Sequence, residues 1–274
     1  MRKNSIITLA AILSMAAFLF YQQSVRQEAE FAEERQEEKQ KSARKVLDRP
    51  DFATITDVKE KKRAFFSYLE PKIAIENQRV TNERRALMAA KQSLADNKMT
   101  TEQERYIARL GKLYQLSLPE TGLTAEWFDN ALSKVNLLPP SLVMTQAANE
   151  SAWGTSRFAT QANNFFGQWC YRQGCGLVPL QRNEGASHEV AKFDSVQQSV
   201  HAYFMNINRN RAYQNLRDKR AQLEKEGASL QSEETALALI EELGHYSERG
   251  VAYINELQAM IRHNRKFWSE NGSE

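Results

Sequence analysis

The run Gln146-Ala147-Ala148-Asn149-Glu150-Ser151-Ala152-Trp153-Gly154 sets one carboxylate near the end of an apolar helix, beside a tryptophan and a glycine. Leu142, Val143, Met144, Ala147 and Ala148 recur on a helical period. Pro139 and Pro140 end the preceding segment, Ser141 is positioned to open the helix, and Gly154 is positioned to stop it. Glu150 then falls in the last turn, where the partial negative charge of a helix C-terminus disfavours a further anion. Burial beside Trp153 and the Phe165-Phe166 pair acts in the same direction, because desolvation penalises the charged form. A carboxyl group kept protonated near neutrality is a general acid, of the kind that protonates a departing sugar oxygen. Taken alone, a glutamate at a helix end is ordinarily solvated surface, and Trp153 and Gly154 would be a core aromatic and a cap.

Two further motifs follow in order, Asn163-Asn164-Phe165-Phe166-Gly167 and Ala191-Lys192-Phe193-Asp194-Ser195. Together the three resemble the catalytic signature of the glucosaminidase family (glycoside hydrolase family 73), which cleaves bacterial peptidoglycan. Within it the chain looks most like the Bax-type proteins of Gram-negative bacteria. The resemblance covers roughly residues 120–265. It implies that Glu150 is the catalytic acid and that Trp153, Asn164, Phe166 and Gly167 contribute to substrate binding, the last three along the cleft floor. The stretch from Tyr246 to Tyr253 resembles the family's paired-tyrosine motif, which implies Tyr246 as the polar catalytic partner across the cleft and Tyr253 as its support. Two amphipathic tyrosines packed at a helix start are the plain alternative.

Glycosidases usually pair the acid with a second carboxylate. Many members of the family carry one on a β-hairpin, and here the match departs. Arg182 stands near the expected position, with Glu184 in the turn and Glu189 on the returning strand each displaced by a couple of residues. A substrate with a 2-acetamido group can instead supply its own carbonyl oxygen as nucleophile, leaving the protein to position that amide.

The elements that must position these groups are mostly helical. From Asp57 to about Asp96 a helical rhythm runs through Phe65, Leu69, Ile73, Val80 and Leu87, with Pro71 expected to kink or split it. Thr100 or Thr101 caps a helix through Leu113, and Thr124 caps another through Val135. The segment from Gly176 to Phe193 is short and β-like, with Asn183-Glu184-Gly185 as a hairpin turn. Helices resume at Ser195 and at Ser232. The fold class is mainly α (α+β): a lysozyme-like helical domain with a small β-hairpin lobe, preceded by N-terminal helices.

Four segments result. Residues 1–23 read as a signal anchor, with Arg2 and Lys3 ahead of an uncharged, mostly apolar run from Ser5 to Tyr21; a cleaved signal peptide is the alternative. Residues 24–47 read as a charged stalk, 48–115 as a helical accessory region and 116–274 as the glucosaminidase domain. The net charge of +3 comes without a basic face carrying interleaved aromatics, so no nucleic acid is implied. Cys170 and Cys175, in an exported chain, form a disulfide closing a tight loop. The four histidines show no ligand spacing, and no metal or organic cofactor is implied.

The expected function is hydrolysis of peptidoglycan by an endo-β-N-acetylglucosaminidase with Glu150 as acid, on the periplasmic face of the inner membrane, to which the N-terminal segment holds it. A lytic transglycosylase and a non-catalytic wall-binding protein are the alternatives. Peptidoglycan strands and the inner membrane are the expected partners; protein partners are not legible.

Overall fold

The computed structural model describes residues 49–120, 122–179, 188–244 and 246–268. Its first helix, α1, spans Val58–Ala95 and is capped by Asp57, whose side chain accepts from Glu60 N. Thirty-eight residues make a rod of about 57 Å. Pro71 lies inside it, so the helix is not split there. The lost hydrogen bond, a cost of about 3 kcal/mol, is offset because apolar residues on both sides of Pro71 enter one core. Phe65, Phe66 and Leu69 precede the proline, and Ile73, Val80 and Leu87 follow it, all of them buried.

Helix α2 (Thr101–Leu113) starts with a reciprocal capping box between Thr100 and Gln103, and α3 (Ala125–Lys134) is capped by Thr124. Helix α4 covers Pro140–Glu150, and its residues from Ser141 to Ala148 are all buried, the mark of a central helix. Ser141 does not open it. Pro139 stands at the N-cap without a side-chain bond, and Pro140 follows, whose missing N–H removes one otherwise unsatisfied donor. Helix α5 (Arg157–Ala162) leads to a small antiparallel sheet of β1 (Trp169–Cys170), β2 (Gly176–Leu177) and β3 (Glu189–Ala191), ordered β1-β3-β2. Trp169 pairs with Val190, and Gly176 with Ala191. The pairing of β2 with β3 follows the sequence pattern, whereas β1 was not legible. The turn with Arg182 and Glu184 lies outside the described residues, as do the anchor and the stalk.

Ser195 caps α6 (Val196–Arg209), a 3-10 turn at Arg211–Tyr213 leads into α7 (Gln214–Lys225), and Ser232 caps α8 (Glu233–Ile240). The last helix, α9, is Val251–Asn264. The protein is mainly helical with one small β lobe. No described helix is long and apolar enough to cross a membrane.

Buried polar groups fix the approach to α4. Asn77 of α1 donates to Leu138 O (2.9 Å) and accepts from Leu138 N (3.1 Å), which holds the chain two residues before Pro140. Arg220 of α7, fully buried, donates to the carbonyls of Ser133, Lys134, Asn136 and Leu137 and to Asn208 Oδ1. It satisfies the carbonyls at the end of α3, which would otherwise face the core without partners.

Candidate active site

Glu150 is the last residue of α4, and the backbone reverses at once. Ala152, Trp153 and Gly154 have φ of 50°, 59° and 77°, three consecutive left-handed residues. The two non-glycines cost about 1–2 kcal/mol each. Trp153 N returns to Ala148 O (2.9 Å), and the buried Ser151 hydroxyl accepts from Gly154 N (2.8 Å), so the turn is bonded internally. The helix therefore stops one turn before the expected Gly154. That glycine has another reason: a Cβ there would lie 2.3 Å from the Phe52 ring.

The reversal sends Trp153 and Glu150 different ways. Trp153 packs against Phe65 and Phe66 of α1 (centroids 5.5 and 5.4 Å), with Lys62 Nζ 5.1 Å over its ring. It is not among the residues lining the cleft, where the sequence had put it as a substrate contact. Glu150 lines a cleft of about 1260 Å³.

The loop after α5 forms part of that cleft. Asn164, expected on its floor, is instead 1% exposed and spent on the backbones of its own loop and of β3. Its amide donates to Gln168 O and Ala191 O, and its oxygen accepts from Phe166 N and Gln168 N. This bracket presents Phe166 and Gly167 to the cleft. Gly167 (φ 63°) passes so close that a Cβ would lie 3.7 Å from Glu150 Oε2. Two aromatic residues follow it on the cleft wall, Trp169 at 56% exposure and Tyr171 at 75%. Trp169 is backed by His188, stacked at 4.1 Å. Cys170, between the two aromatics, is joined to Cys175 as a disulfide.

Glu189 is buried on β3, and its carboxylate accepts from Gly174 N (3.0 Å) and Gly176 N (2.8 Å). It clamps the disulfide loop and does not line the cleft. Glu184, the other candidate for a second carboxylate, lies outside the described residues. Among the described lining residues the carboxylates are Glu150 and Glu248.

A ring of tyrosines surrounds the acid. Tyr253 of α9 donates its hydroxyl to Glu150 Oε1 at 2.8 Å, Gln146 Nε2 donates to that hydroxyl at 2.9 Å, and Tyr203 of α6 donates to Gln146 Oε1. Tyr246 stacks on Tyr253 (5.9 Å, 4° between planes), lines the cleft, and donates its hydroxyl to Phe166 O at 2.8 Å. Phe166 in turn stacks on Tyr203 at 4.2 Å. So Tyr253 touches the carboxyl, and Tyr246 faces the cleft beside it. Burial raises the Glu150 pKa above the ordinary carboxylate range, against the opposing hydrogen bonds from Tyr253 and Asn149. Burial also pushes the hydroxyls of Tyr203, Tyr246 and Tyr253 upward, so they stay neutral donors.

Sequence reasoning missed Gln146 and Tyr203 in this relay. Gln146 was detectable, one turn before Glu150 on the same helix face. Tyr203 had no local signal, since its partner is 57 positions away.

The glucosaminidase family model, described as mannosyl-glycoprotein endo-β-N-acetylglucosaminidase, matches residues 125–266. The chain is similar to the Bax protein of Escherichia coli (strain K12), 32% identical over 217 residues, which is 79% of this chain and 74% of the relative. No solved structure matches.

Proposed function

The chain belongs to the glucosaminidase family, and from that premise we propose that it is a peptidoglycan hydrolase, an endo-β-N-acetylglucosaminidase cleaving the β-1,4 bond between GlcNAc and MurNAc. The observation that carries the reading is Glu150: a half-buried carboxyl with a raised pKa, aimed into a large cleft and hydrogen-bonded by a neutral tyrosine.

Glu150 protonates the bridging oxygen as the C1–O bond breaks. The GlcNAc acetamido carbonyl oxygen attacks C1 and closes a cyclic oxazolinium. Water then opens this ring at C1, and the Glu150 carboxylate takes the water's proton, which restores the acid and retains the anomeric configuration. Tyr246 suits the positioning role. Its own proton is committed to Phe166 O, so its oxygen presents lone pairs to the acetamido N–H. This route is favoured because Glu189 is occupied by backbone amides. Trp169 and Tyr171 offer exposed ring faces against which sugar rings stack. The same reading puts the enzyme on the periplasmic face of the inner membrane, on the strength of the apolar run from Ser5 to Tyr21.

The test is incubation of the full chain with purified sacculi beside Glu150→Gln, with mass spectrometry of the released ends. The expected products are reducing GlcNAc ends, reduced about 10²- to 10⁴-fold in the variant. Anhydro-muramic ends would make the protein a lytic transglycosylase. Binding without any released fragment would make it a wall-binding module.

A further inference from the structure

We infer that the part of the cleft formed by Arg209, Arg211 and Gln115 is a subsite for the free carboxylates of peptidoglycan stem peptides. This deepens the glucosaminidase reading and rests on it. All three residues line the same cleft as Glu150. Neither arginine has a carboxylate partner among the described residues, whereas Arg79, Arg84 and Arg265 are each spent on glutamates. Arg209 Nη1 donates to Leu113 O at 3.2 Å, which steadies the guanidinium without neutralising it.

The position separates this group from the chemistry. Tyr203 belongs to the relay at the acid, and Arg209 lies six residues further along α6, about 9 Å along its axis. With the relay held by an earlier turn of the same helix, the arginines are placed for a substituent or a neighbouring unit of the glycan. The wall is also built rather than incidental. Gln115 is held at φ 55°, with its N–H bonded to Lys112 O and its carbonyl accepting from Lys134 Nζ. Leu113, which anchors Arg209, ends α2, so a segment before the family match contributes to the cleft.

The chemistry of the polymer selects the ligand. Along a peptide-substituted glycan the lactyl carboxyls are consumed as amides, and the free carboxylates belong to the peptides. Arginine matches a carboxylate with parallel N–H donors, which makes it the apt side chain for reading them. Glu248, the other described acid lining the cleft besides Glu150, would repel the same group, which leaves the two arginines as the lining cations that read it.

The experiment measures binding, so that it does not depend on turnover. The full chain carrying Glu150→Gln is pelleted with intact sacculi and with sacculi whose free peptide carboxylates have been capped as amides by carbodiimide and excess ammonia, which leaves the lactyl amides and the crosslinks in place. The expected result is roughly tenfold tighter binding to intact sacculi at low salt, shrinking towards equality at ~1 M salt, where the Debye length is about 3 Å. Adding Arg211→Gln, an exposed position that leaves the Arg209–Leu113 bond in place, removes most of the preference, and adding Arg209→Gln removes the rest. Equal binding to both sacculi, a preference that survives both substitutions, or no binding to either overturns the inference. Hydrolysis by the native chain without any binding preference sinks the subsite alone. A binding preference in a chain that releases no fragments sinks the glucosaminidase reading and leaves the subsite standing.

Discussion

The Glu150 pKa lies above the ordinary carboxylate range because burial outweighs two hydrogen bonds that favour the anion. Removing the stronger of those two moves it further: Tyr253→Phe deletes the hydroxyl that donates to Oε1, so the Glu150 pKa rises again. The alkaline limb of the pH–rate profile is expected to shift to higher pH in this variant. Because Gln146 Nε2 also loses its acceptor, stability falls by about 1–3 kcal/mol in urea unfolding. The raised pKa has its own stability consequence. The folded state binds this proton more tightly than the unfolded chain, so the associated stabilisation is present at acid pH. It is lost as pH rises through the raised value. Glu150→Gln keeps the shape and cannot ionise, so it should melt above the native chain at neutral and alkaline pH. The gap should close below the ordinary carboxylate range, in a series of thermal melts against pH.

At the scale of elements, what sequence shows and what it hides divide by range. Thr100, Thr124, Ser195 and Ser232 were readable as helix starts because a cap bonds a backbone three residues away. Pro71 and Gly154 misled for the opposite reason. What keeps α1 intact across its proline is packing against distant helices, and what makes Gly154 necessary is the ring of Phe52, about a hundred positions earlier. Trp153 and Asn164 were assigned to the cleft from motif position alone. Their actual neighbours, α1 for one and the backbones of the loop and β3 for the other, carry no sequence pattern. Gly154→Ala should therefore cost more than an ordinary glycine change, since it adds a clash with Phe52 to a left-handed φ. A loss of at least 1–3 kcal/mol in chemical unfolding is expected. A value within 0.5 kcal/mol of the native chain would mean that Phe52 can move aside.

Across the whole molecule, Pro50–Glu274 clusters as one compact unit, and its core runs without a break from Phe52 and Phe65 to Tyr253 and Ile261. The family match begins at residue 125, so α1 and α2 lie outside it while filling the same interior. The segment read as accessory from sequence is thus the packing partner of the helix that carries the acid. A chain starting at residue 116 would expose the faces of α3, α4 and α6 that α1 covers. It is expected to lose its cooperative melt and precipitate, whereas a chain starting at Pro50 should melt as one transition. Recovery of a soluble, active 116–274 fragment would show instead that α1 is dispensable.

The closure of α1 on the far end of the chain also sets an order of events. Lys62 Nζ bonds Asn264 Oδ1 across 202 positions, and Phe66 meets Phe267 and Trp268. Such long-range pairings come late, because the loop they close must first be ordered. During folding the apolar stripe of α1 stays partly bare until α9 and the turn after it have docked. Folding itself therefore acts as a timer: Glu150 at the end of α4 gains its Tyr253 partner only once α9 has docked.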